Sequence, residues 1–276
     1  MPFTAFEIVK ITTSGDLITD RPLKEIGGKG LFTKEIEHEL LLGTIDIAVH
    51  SMKDLPMDIL DEFQLIAITE REDPRDAFIS NNFNSLEEMP KGAIIGTSSL
   101  RRQSQIKANF PDLIVKPLRG NLQTRLNKLD QNQYGAIILA AAGLIRLGLK
   151  NRIKKFLDSN ISIPAVGQGA LGIEVLKGNK KLNTILSALN DEDSSRCVLA
   201  ERLVSRLLAG SCTVPLGAFA TISKNNFIIK GFVAKPDGSK IIHAEKSGNK
   251  SDFYKLGEDL GKILIDKGAK DILSNI

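Results

Sequence analysis

Short apolar runs alternate along the middle of the chain with segments whose apolar residues recur every three to four positions. The runs at 93–95, 113–116 and 136–140 predict strands, and the segments 99–108 and 121–129 between them predict helices. Strands that alternate with helices are typical of a parallel, doubly wound α/β sheet. We therefore predict such a sheet for this part of the chain.

The first part of the chain follows a similar rhythm. Residues 6–11, 45–49 and 64–69 predict strands, and apolar residues spaced by four from 32 to 40 predict a helix. This pattern favours a second α/β lobe.

Two segments rich in charge, proline or glycine, 70–75 and 163–170, are typical of connections between lobes. Two such crossings predict two lobes with a cleft and a hinge between them. Beyond them, strands predicted at 226–233 and 240–244 flank a turn at 235–239, which favours a small third domain with an antiparallel sheet. We expect the domains to comprise residues 1–72 with 168–190, residues 73–167, and residues 191–276.

Composition excludes several classes of protein. The chain has 276 residues, 42% of them hydrophobic and 25% charged, and a formal net charge of +4. We find no apolar run of membrane-spanning length, no signal peptide and no basic block with interleaved aromatic residues. The two cysteines and three histidines are too scattered for a metal cage or a disulfide framework. We therefore expect a soluble cytoplasmic protein that binds neither metal nor nucleic acid.

Five arginines follow the predicted strands of the second lobe: Arg101, Arg102, Arg119, Arg125 and Arg146. Ligands of open α/β sheets bind beyond the carboxyl ends of the strands, so we expect these side chains at one edge. The hydroxyls of Thr97, Ser98 and Ser99, at a predicted helix N-terminus, lie beside them. Because guanidinium groups suit carboxylates, the pattern indicates an anion with several carboxylates. The alternative is that each arginine lies on a solvated helix face.

Acidic candidates follow the strands of the first lobe. Asp54 comes after the predicted strand 45–49, with Lys53 beside it to keep the carboxylate ionised. Asp16 follows the predicted strand 6–11 and is a second candidate at the same edge. The alternative for both residues is a turn aspartate.

The two cysteines differ in context. Cys197 lies in a helical apolar pattern, which favours a small core residue. Cys212 lies in a loop bounded by Gly210 and Pro215, where a thiol is accessible. From the residues alone, a thiol without a role and an attachment site remain equal alternatives.

Seven segments, taken in order, resemble the porphobilinogen deaminase (hydroxymethylbilane synthase) family. They are IDIAVHSMKDLP, EREDPRDAF, GTSSLRRQSQ, LRGNLQTRLNKL, AIILAAAGLIRLGL, PAVGQGALGIE and AGSCTVPLGA. The resemblance covers nearly the whole chain. It implies stepwise condensation of four porphobilinogens to hydroxymethylbilane with release of ammonia, in haem biosynthesis. It also implies a monomer with two lobes like bilobal binding proteins and a third domain, whose product passes to uroporphyrinogen-III synthase.

The resemblance further implies roles for individual residues. Asp54 would be the catalytic acid, and Cys212 would hold a dipyrromethane cofactor through a thioether. The residues implied to bind the cofactor are Lys53, Asp16, Thr97, Ser98, Ser99, Arg101, Arg102, Arg119 and Gln168. Those implied to bind substrate carboxylates are Arg119, Arg125 and Arg146.

Members of the resembled family begin with another strand and helix, carrying an Arg and a Ser near the cofactor, ahead of the strand that corresponds to 6–11. This chain starts after that segment, so we expect a weakly stable first lobe and impaired catalysis. Two other functions fit the pattern: a truncated, inactive deaminase, and a bilobal anion-binding module. The module would lack a pyrrole adduct on Cys212.

Overall fold

The computed structural model describes residues 5–17, 30, 33–208 and 214–274. Its strands are β1 Ala48–Ser51, β2 Phe63–Ile68, β3 Asp76–Ile79, β4 Ile94–Gly96, β5 Ile114–Lys116, β6 Ala136–Ala140, β7 Lys155–Phe156, β8 Leu171–Leu176, β9 Leu216–Ser223, β10 Asn226–Ala234 and β11 Ile241–Asn249. Its α-helices are α1 Ser14–Leu17, α2 Lys34–Leu42, α3 Leu100–Asn109, α4 Leu122–Asp130, α5 Ala141–Arg146, α6 Lys180–Leu186, α7 Glu192–Leu207, α8 Phe253–Asp266 and α9 Ala269–Leu273. None of these helices is long and apolar enough to cross a membrane.

The second lobe is built on a five-stranded sheet in the order β5-β4-β6-β3-β7. Strand β4 pairs in parallel with β5 and β6, as the alternation of strands and helices predicts. Strand β3 pairs antiparallel with β6 and β7, so the sheet is mixed. The sequence pattern missed β3 and β7. Strand β3 opens with the charged residue Asp76 and is nevertheless buried along its whole length.

Side-chain caps start the two helices that follow the parallel strands. The Ser99 hydroxyl accepts a hydrogen bond from the Arg102 backbone N–H (3.5 Å), and Asn121 Oδ1 accepts one from the Thr124 N–H (2.9 Å). Both helices therefore begin directly beyond the carboxyl ends of β4 and β5, at the edge where ligands of such sheets bind.

The first lobe contains a three-stranded sheet in the order β1-β8-β2. Strand β8 runs antiparallel to both neighbours, so among the described residues the predicted parallel pairing does not extend to this lobe. Because β8 follows the second crossing, the chain returns to complete the sheet that β1 and β2 began. The sequence pattern identified β1 and β2 to within a few residues but not β8.

The prediction of a strand at 6–11 is wrong. These residues have no regular secondary structure, and the side chains of Phe6 and Ile8 are 71% and 87% exposed. An apolar run becomes a strand only with a partner strand and a buried face, and no strand in the described part of the chain pairs with it. Asp16 therefore does not follow a strand; it lies in the short helix α1. Phe32, in the predicted helix 32–40, lies outside the described residues. Helix α2 is capped at its C-terminus by Gly43, which has a left-handed conformation (φ 69°).

The third domain packs α7 and α8 against the antiparallel sheet β11-β10-β9. Its core includes the fully buried Phe227 and Leu260. Cys197 joins this core, and burial raises the pKa of its thiol to about 12, so the prediction of a small core residue is confirmed. Strand β9 was not predicted.

The two predicted crossings lie against each other. The Glu72 N–H donates to the Gly169 carbonyl at 3.1 Å. Gly169 has φ 93°, and a Cβ there would collide with the Glu72 carbonyl oxygen. Glycine is therefore required in the second crossing for this close approach.

Candidate active site

A cavity of about 200 Å³ lies where the two lobes and the third domain meet. The first lobe lines it with Lys53, Asp54 and Met57, and the third domain with Ser205, Val214 and Leu216. The second lobe and the second crossing contribute Thr97, Ser98, Ser99, Arg101, Arg102, Leu118, Arg119, Arg125, Ile138, Ala165, Val166 and Gln168. Ten of the residues singled out from the sequence therefore line one cavity.

The loop that carries Lys53 and Asp54, called the acidic loop below, follows β1 directly. Met52 and Leu55 are buried on either side of it, and the Asp54 N–H donates to the Ser51 carbonyl at 2.9 Å, which closes a tight turn. This arrangement leaves the Asp54 carboxylate exposed and Lys53 half-buried at the cavity wall. The sequence alternatives, a cleft acid and a turn residue, are both realised: Asp54 is in a turn and faces the cavity.

The Lys53 ammonium lies among opposing charges. Burial lowers its pKa, the neighbouring Asp54 carboxylate acts to raise it, and the positive charge of Arg102 lowers it further. The cavity wall at this point is thus already rich in positive charge.

Arg101 and Arg102 are buried and converge on one carboxylate, Asp76. Arg101 forms a bidentate pair with it (2.8 and 3.0 Å), and Nε and Nη2 of Arg102 donate to Asp76 Oδ1 at 2.9 and 2.8 Å. Further guanidinium hydrogens go to the backbone carbonyls of Ile163 (2.6 Å) and Ile138 (3.1 Å). Much of the hydrogen-bonding capacity of these two arginines therefore supports the fold.

Two more donors complete the shell of Asp76. The hydroxyl of Ser162 donates at 2.7 Å, and the amide of Gln168 donates to Asp76 at 3.0 Å and to the Pro74 carbonyl at 2.7 Å. Burial acts to raise the pKa of Asp76, but the two guanidinium groups outweigh it and hold that pKa far below its usual range. Two cations around one anion still leave a net positive charge at the cavity wall. Gln168 also ties the second crossing to the first.

Arg119 and Arg125 are placed differently. Both are half-buried at the cavity wall, and Arg125 Nε donates to the carbonyl of Gly120 (2.7 Å), within its own loop. Burial lowers the pKa of Arg125, and repulsion from Arg102 and Arg119 lowers it further. An anion in the cavity would relieve this repulsion.

The three hydroxyls beyond β4 are used within the scaffold. Ser98 Oγ donates to the Leu118 carbonyl (2.9 Å) and accepts from the Leu118 N–H (3.0 Å), and Thr97 Oγ1 accepts from the Ser99 N–H (3.2 Å). These bonds tie the loop before α3 to the loop that carries Arg119. The hydroxyls thus shape the cavity wall on which the arginines lie.

Three predicted residues lie elsewhere or cannot be placed. Arg146, at the end of α5, donates from Nη2 to the Gly169 carbonyl (2.7 Å) and so contacts the second crossing. Asp16 belongs to α1, and the structure does not describe its side chain. Cys212 lies outside the described residues.

Sequence reasoning missed two buried carboxylates that organise the site, Asp76 and Glu201. Glu201, on α7, pairs with Arg71 (2.6 Å) and accepts the N–H groups of Gly167 (2.7 Å) and Ala220 (2.8 Å), which joins both crossings to the third domain. The charge-rich segment 70–75 was a signal that an ion pair forms there, but no local pattern indicates the partner.

Two family models match the chain. The model described as "Porphobilinogen deaminase, dipyromethane cofactor binding domain" matches residues 3–184, and "Porphobilinogen deaminase, C-terminal domain" matches residues 195–266. The chain belongs to the porphobilinogen deaminase family. The resemblance inferred from the seven motifs is thereby confirmed, as are the dipyrromethane cofactor and the place of the family among the transferases of tetrapyrrole biosynthesis.

Curated relatives support this assignment along the whole chain. It is 51% identical to the porphobilinogen deaminase of Bordetella parapertussis over 275 residues, which covers 100% of this chain and 88% of that one. It is 54% identical to that of Nitrosomonas europaea over 273 residues, which covers 99% and 89%. Among solved structures, a periplasmic substrate-binding protein of a Coxiella burnetii ABC transporter matches 59% of this chain and 78% of that chain, with 14% identity and a TM-score of 0.40. A likeness of that degree adds nothing to the assignment.

Proposed function

We propose that this chain itself condenses four porphobilinogens head to tail into hydroxymethylbilane, with release of ammonia, in the cavity between its lobes. The observation that carries the proposal is the collection of Lys53, Arg119 and Arg125 on one cavity wall, together with the excess positive charge around Asp76. A growing pyrrole chain is a polycarboxylate, and such a wall suits it.

The residues present fit a dipyrromethane cofactor. Its carboxylates would lie against Lys53, Arg119 and the helix N-terminus at Thr97–Ser99, within reach of the guanidinium groups of Arg101 and Arg102. When bound, this group supplies the nucleophilic pyrrole on which the chain grows. We propose the same contact role for Gln168, and for Asp16 as the resemblance implies. Arg119, Arg125 and Arg146 would bind substrate carboxylates.

Cys212 is proposed as the attachment residue. Ser205 and Val214, on either side of it along the chain, both line the cavity. The described chain therefore borders the cavity both before and after the segment that contains Cys212. The other cysteine, Cys197, is buried with a pKa raised to about 12, which disfavours its thiolate as an attachment nucleophile.

Asp54 is proposed as the catalytic acid. Its carboxylate is exposed at the cavity, and Lys53 lies beside it. There it would exchange protons as ammonia leaves the substrate and would stabilise the positive charge that develops on the pyrrole nitrogen.

We also propose the domain division 1–72 with 168–190, 73–167 and 191–276. Sheet membership supports it, because β1, β2 and β8 share one sheet, β3 to β7 a second and β9 to β11 a third. A cytoplasmic monomer whose product passes to uroporphyrinogen-III synthase is the arrangement that the resemblance implies. Sedimentation analysis of the purified protein tests the monomer.

The intact mass of the purified protein, with its colour reaction in acidic dimethylaminobenzaldehyde, tests the proposed attachment. We expect an adduct of two pyrrole units that is lost in Cys212→Ser and kept in the control Cys197→Ala. An unmodified mass in the unchanged protein would favour an anion-binding module or an inactive deaminase.

Replacement of the proposed acid tests its role. Asp54→Asn keeps the size of the side chain and removes its charge, so we expect a folded protein whose turnover falls by at least a factor of about 10². Single-turnover measurement of ammonia release checks this. Turnover at the normal rate would mean that another group manages the protons.

A further inference from the structure

One guanidinium of the third domain holds the chain immediately after the acidic loop. Arg202, on α7, is 6% exposed, and its Nη1 donates to the Leu55 carbonyl at 3.2 Å. Its Nη2 donates to the carbonyls of Pro56 and Met57, the latter at 3.1 Å. Three successive backbone carbonyls of the first lobe thus converge on a single side chain.

This contact differs from the other buried arginine sites. Arg101 and Arg102 pair with a carboxylate, whereas none of the ion pairs found in the described part of the chain includes Arg202. Burial lowers the pKa of Arg202 to about 10, and the nearby Arg206 contributes to that shift. A buried cation without a carboxylate partner is costly, and a hydrophobic residue of similar volume would join two surfaces at lower cost. The arginine at this position therefore favours a role in geometry.

One end of this contact lies beside the proposed acid, and the other lies on a helix that lines the cavity. Leu55 follows Asp54 in the chain, and Ser205, on α7 like Arg202, lines the cavity. We infer that Arg202 is a positioning residue that fixes the Asp54 carboxylate relative to the wall that the third domain contributes to the cavity. The inference rests on the proposed function, because it takes Asp54 as the acid and the cavity as the place where the pyrrole chain grows.

The planar guanidinium is suited to this task. Its N–H groups lie in fixed directions, so carbonyls that accept from it are fixed relative to one another. A lysine at the same position would keep the charge but would present a single flexible centre. Displacement of a catalytic group by about 1 Å can cost a factor of about 10² in rate.

Arg202→Lys is the first test, made on protein whose intact mass shows the two-pyrrole adduct. We expect a folded, cofactor-loaded enzyme whose kcat falls at least tenfold. The KM for porphobilinogen should change less than about threefold, because the arginines proposed to bind its carboxylates lie on the second lobe. A tie that only stabilises the fold would instead lower the melting temperature and leave kcat per loaded enzyme unchanged, and that result would overturn the inference.

Two further variants keep the test decisive. Arg206, one turn later, is half-exposed, donates to the Met57 carbonyl (2.8 Å) and pairs with Asp58 (3.0 Å), so Arg206→Met should change kcat less than twofold. Pro56→Gly keeps the carbonyl but loosens the same loop. If Arg202→Lys does not fold, Pro56→Gly should still lower kcat about threefold or more, with KM unchanged. A normal kcat in that variant would contradict the positioning role, whereas the absence of the adduct from the unchanged protein would contradict the proposed function instead.

Discussion

Two groups of arginines share the cavity wall and have opposite relations to the fold. Arg101 and Arg102 are buried around the carboxylate of Asp76, with backbone carbonyls taking further hydrogens. Arg119 and Arg125 are half-buried, and the pKa of Arg125 is lowered by burial and by repulsion from neighbouring guanidinium groups. The first group is compensated by a buried carboxylate, whereas the charge of Arg125 is repelled by its neighbours.

The difference shows that arginines in one cluster can have separate roles, in stability and in ligand binding. A buried charge is tolerated when its partner and hydrogen bonds are supplied internally, and removal of the partner leaves an uncompensated charge. A cation held near like charges destabilises the folded state until an anion binds beside it. We therefore expect Arg101 and Arg102 to govern stability, and Arg119 and Arg125 to govern the affinity for carboxylates.

The largest expected effect follows from removal of the shared carboxylate. Asp76→Asn would leave two buried guanidinium groups without their anion, so we expect a loss of about 3–5 kcal/mol in the free energy of unfolding. Urea denaturation monitored by far-UV circular dichroism measures it. Asp130→Asn is the matched control, because Asp130 pairs with Arg152 at the surface and should cost less than about 1 kcal/mol. Equal losses in the two variants would contradict the distinction between buried and exposed pairs.

The contribution of Asp76 should also depend on pH. Because its pKa in the folded protein lies far below the value of about 3.9 in an unfolded chain, its stabilisation is fully present above that value. It is lost as the pH falls further, toward the folded pKa. The stability difference between the unchanged protein and Asp76→Asn should therefore be constant from about pH 5 to pH 7 and shrink below about pH 4. Urea titrations across this range measure it, and a difference that grows toward acid would refute the assignment.

Replacement of one arginine from each group compares them directly. Arg101→Met should lower the free energy of unfolding by about 2–3 kcal/mol, because Asp76 loses a bidentate partner. Arg125→Met should leave stability within about 1 kcal/mol, or raise it, since a desolvated and repelled charge is removed. The KM of Arg125→Met for porphobilinogen should rise about tenfold. A stability loss in Arg125→Met as large as that in Arg101→Met would erase the contrast between the groups.

The sequence pattern predicted those parts of the fold that local periodicity encodes. Strand β6 was predicted at its observed bounds because 136–140 is one apolar run. Helices α3 and α4 were predicted from their periodicity to within one residue at each end. The segment 6–11 was misassigned because an apolar run carries no information about a partner strand.

The site was predicted as a list of residues but not as a set of pairs. Motif and charge brought ten cavity-lining residues together, yet Asp76, their organising carboxylate, was missed. Its partners Arg101, Ser162 and Gln168 lie 25, 86 and 92 positions away in the chain. Only the packing of β3 beneath α3 and the second crossing brings them into contact. A count of charges therefore predicts that an anion binds, but not which cations remain available for it.

The smallest expected effect tests that availability without catalysis. Cys212→Ser, which cannot hold the cofactor, should be stabilised by a tricarboxylate such as citrate, because an anion that binds only the folded state raises the melting temperature. A gain of about 1 kcal/mol corresponds to roughly 2–4 °C for a protein of this size. The shift should disappear when Arg125→Met is added and persist with Arg206→Met, because Arg125 lines the cavity and Arg206 pairs with Asp58 outside it. If both double variants keep the shift, citrate binds at another surface, and Arg125 is then not the cation that the fold leaves to its ligand.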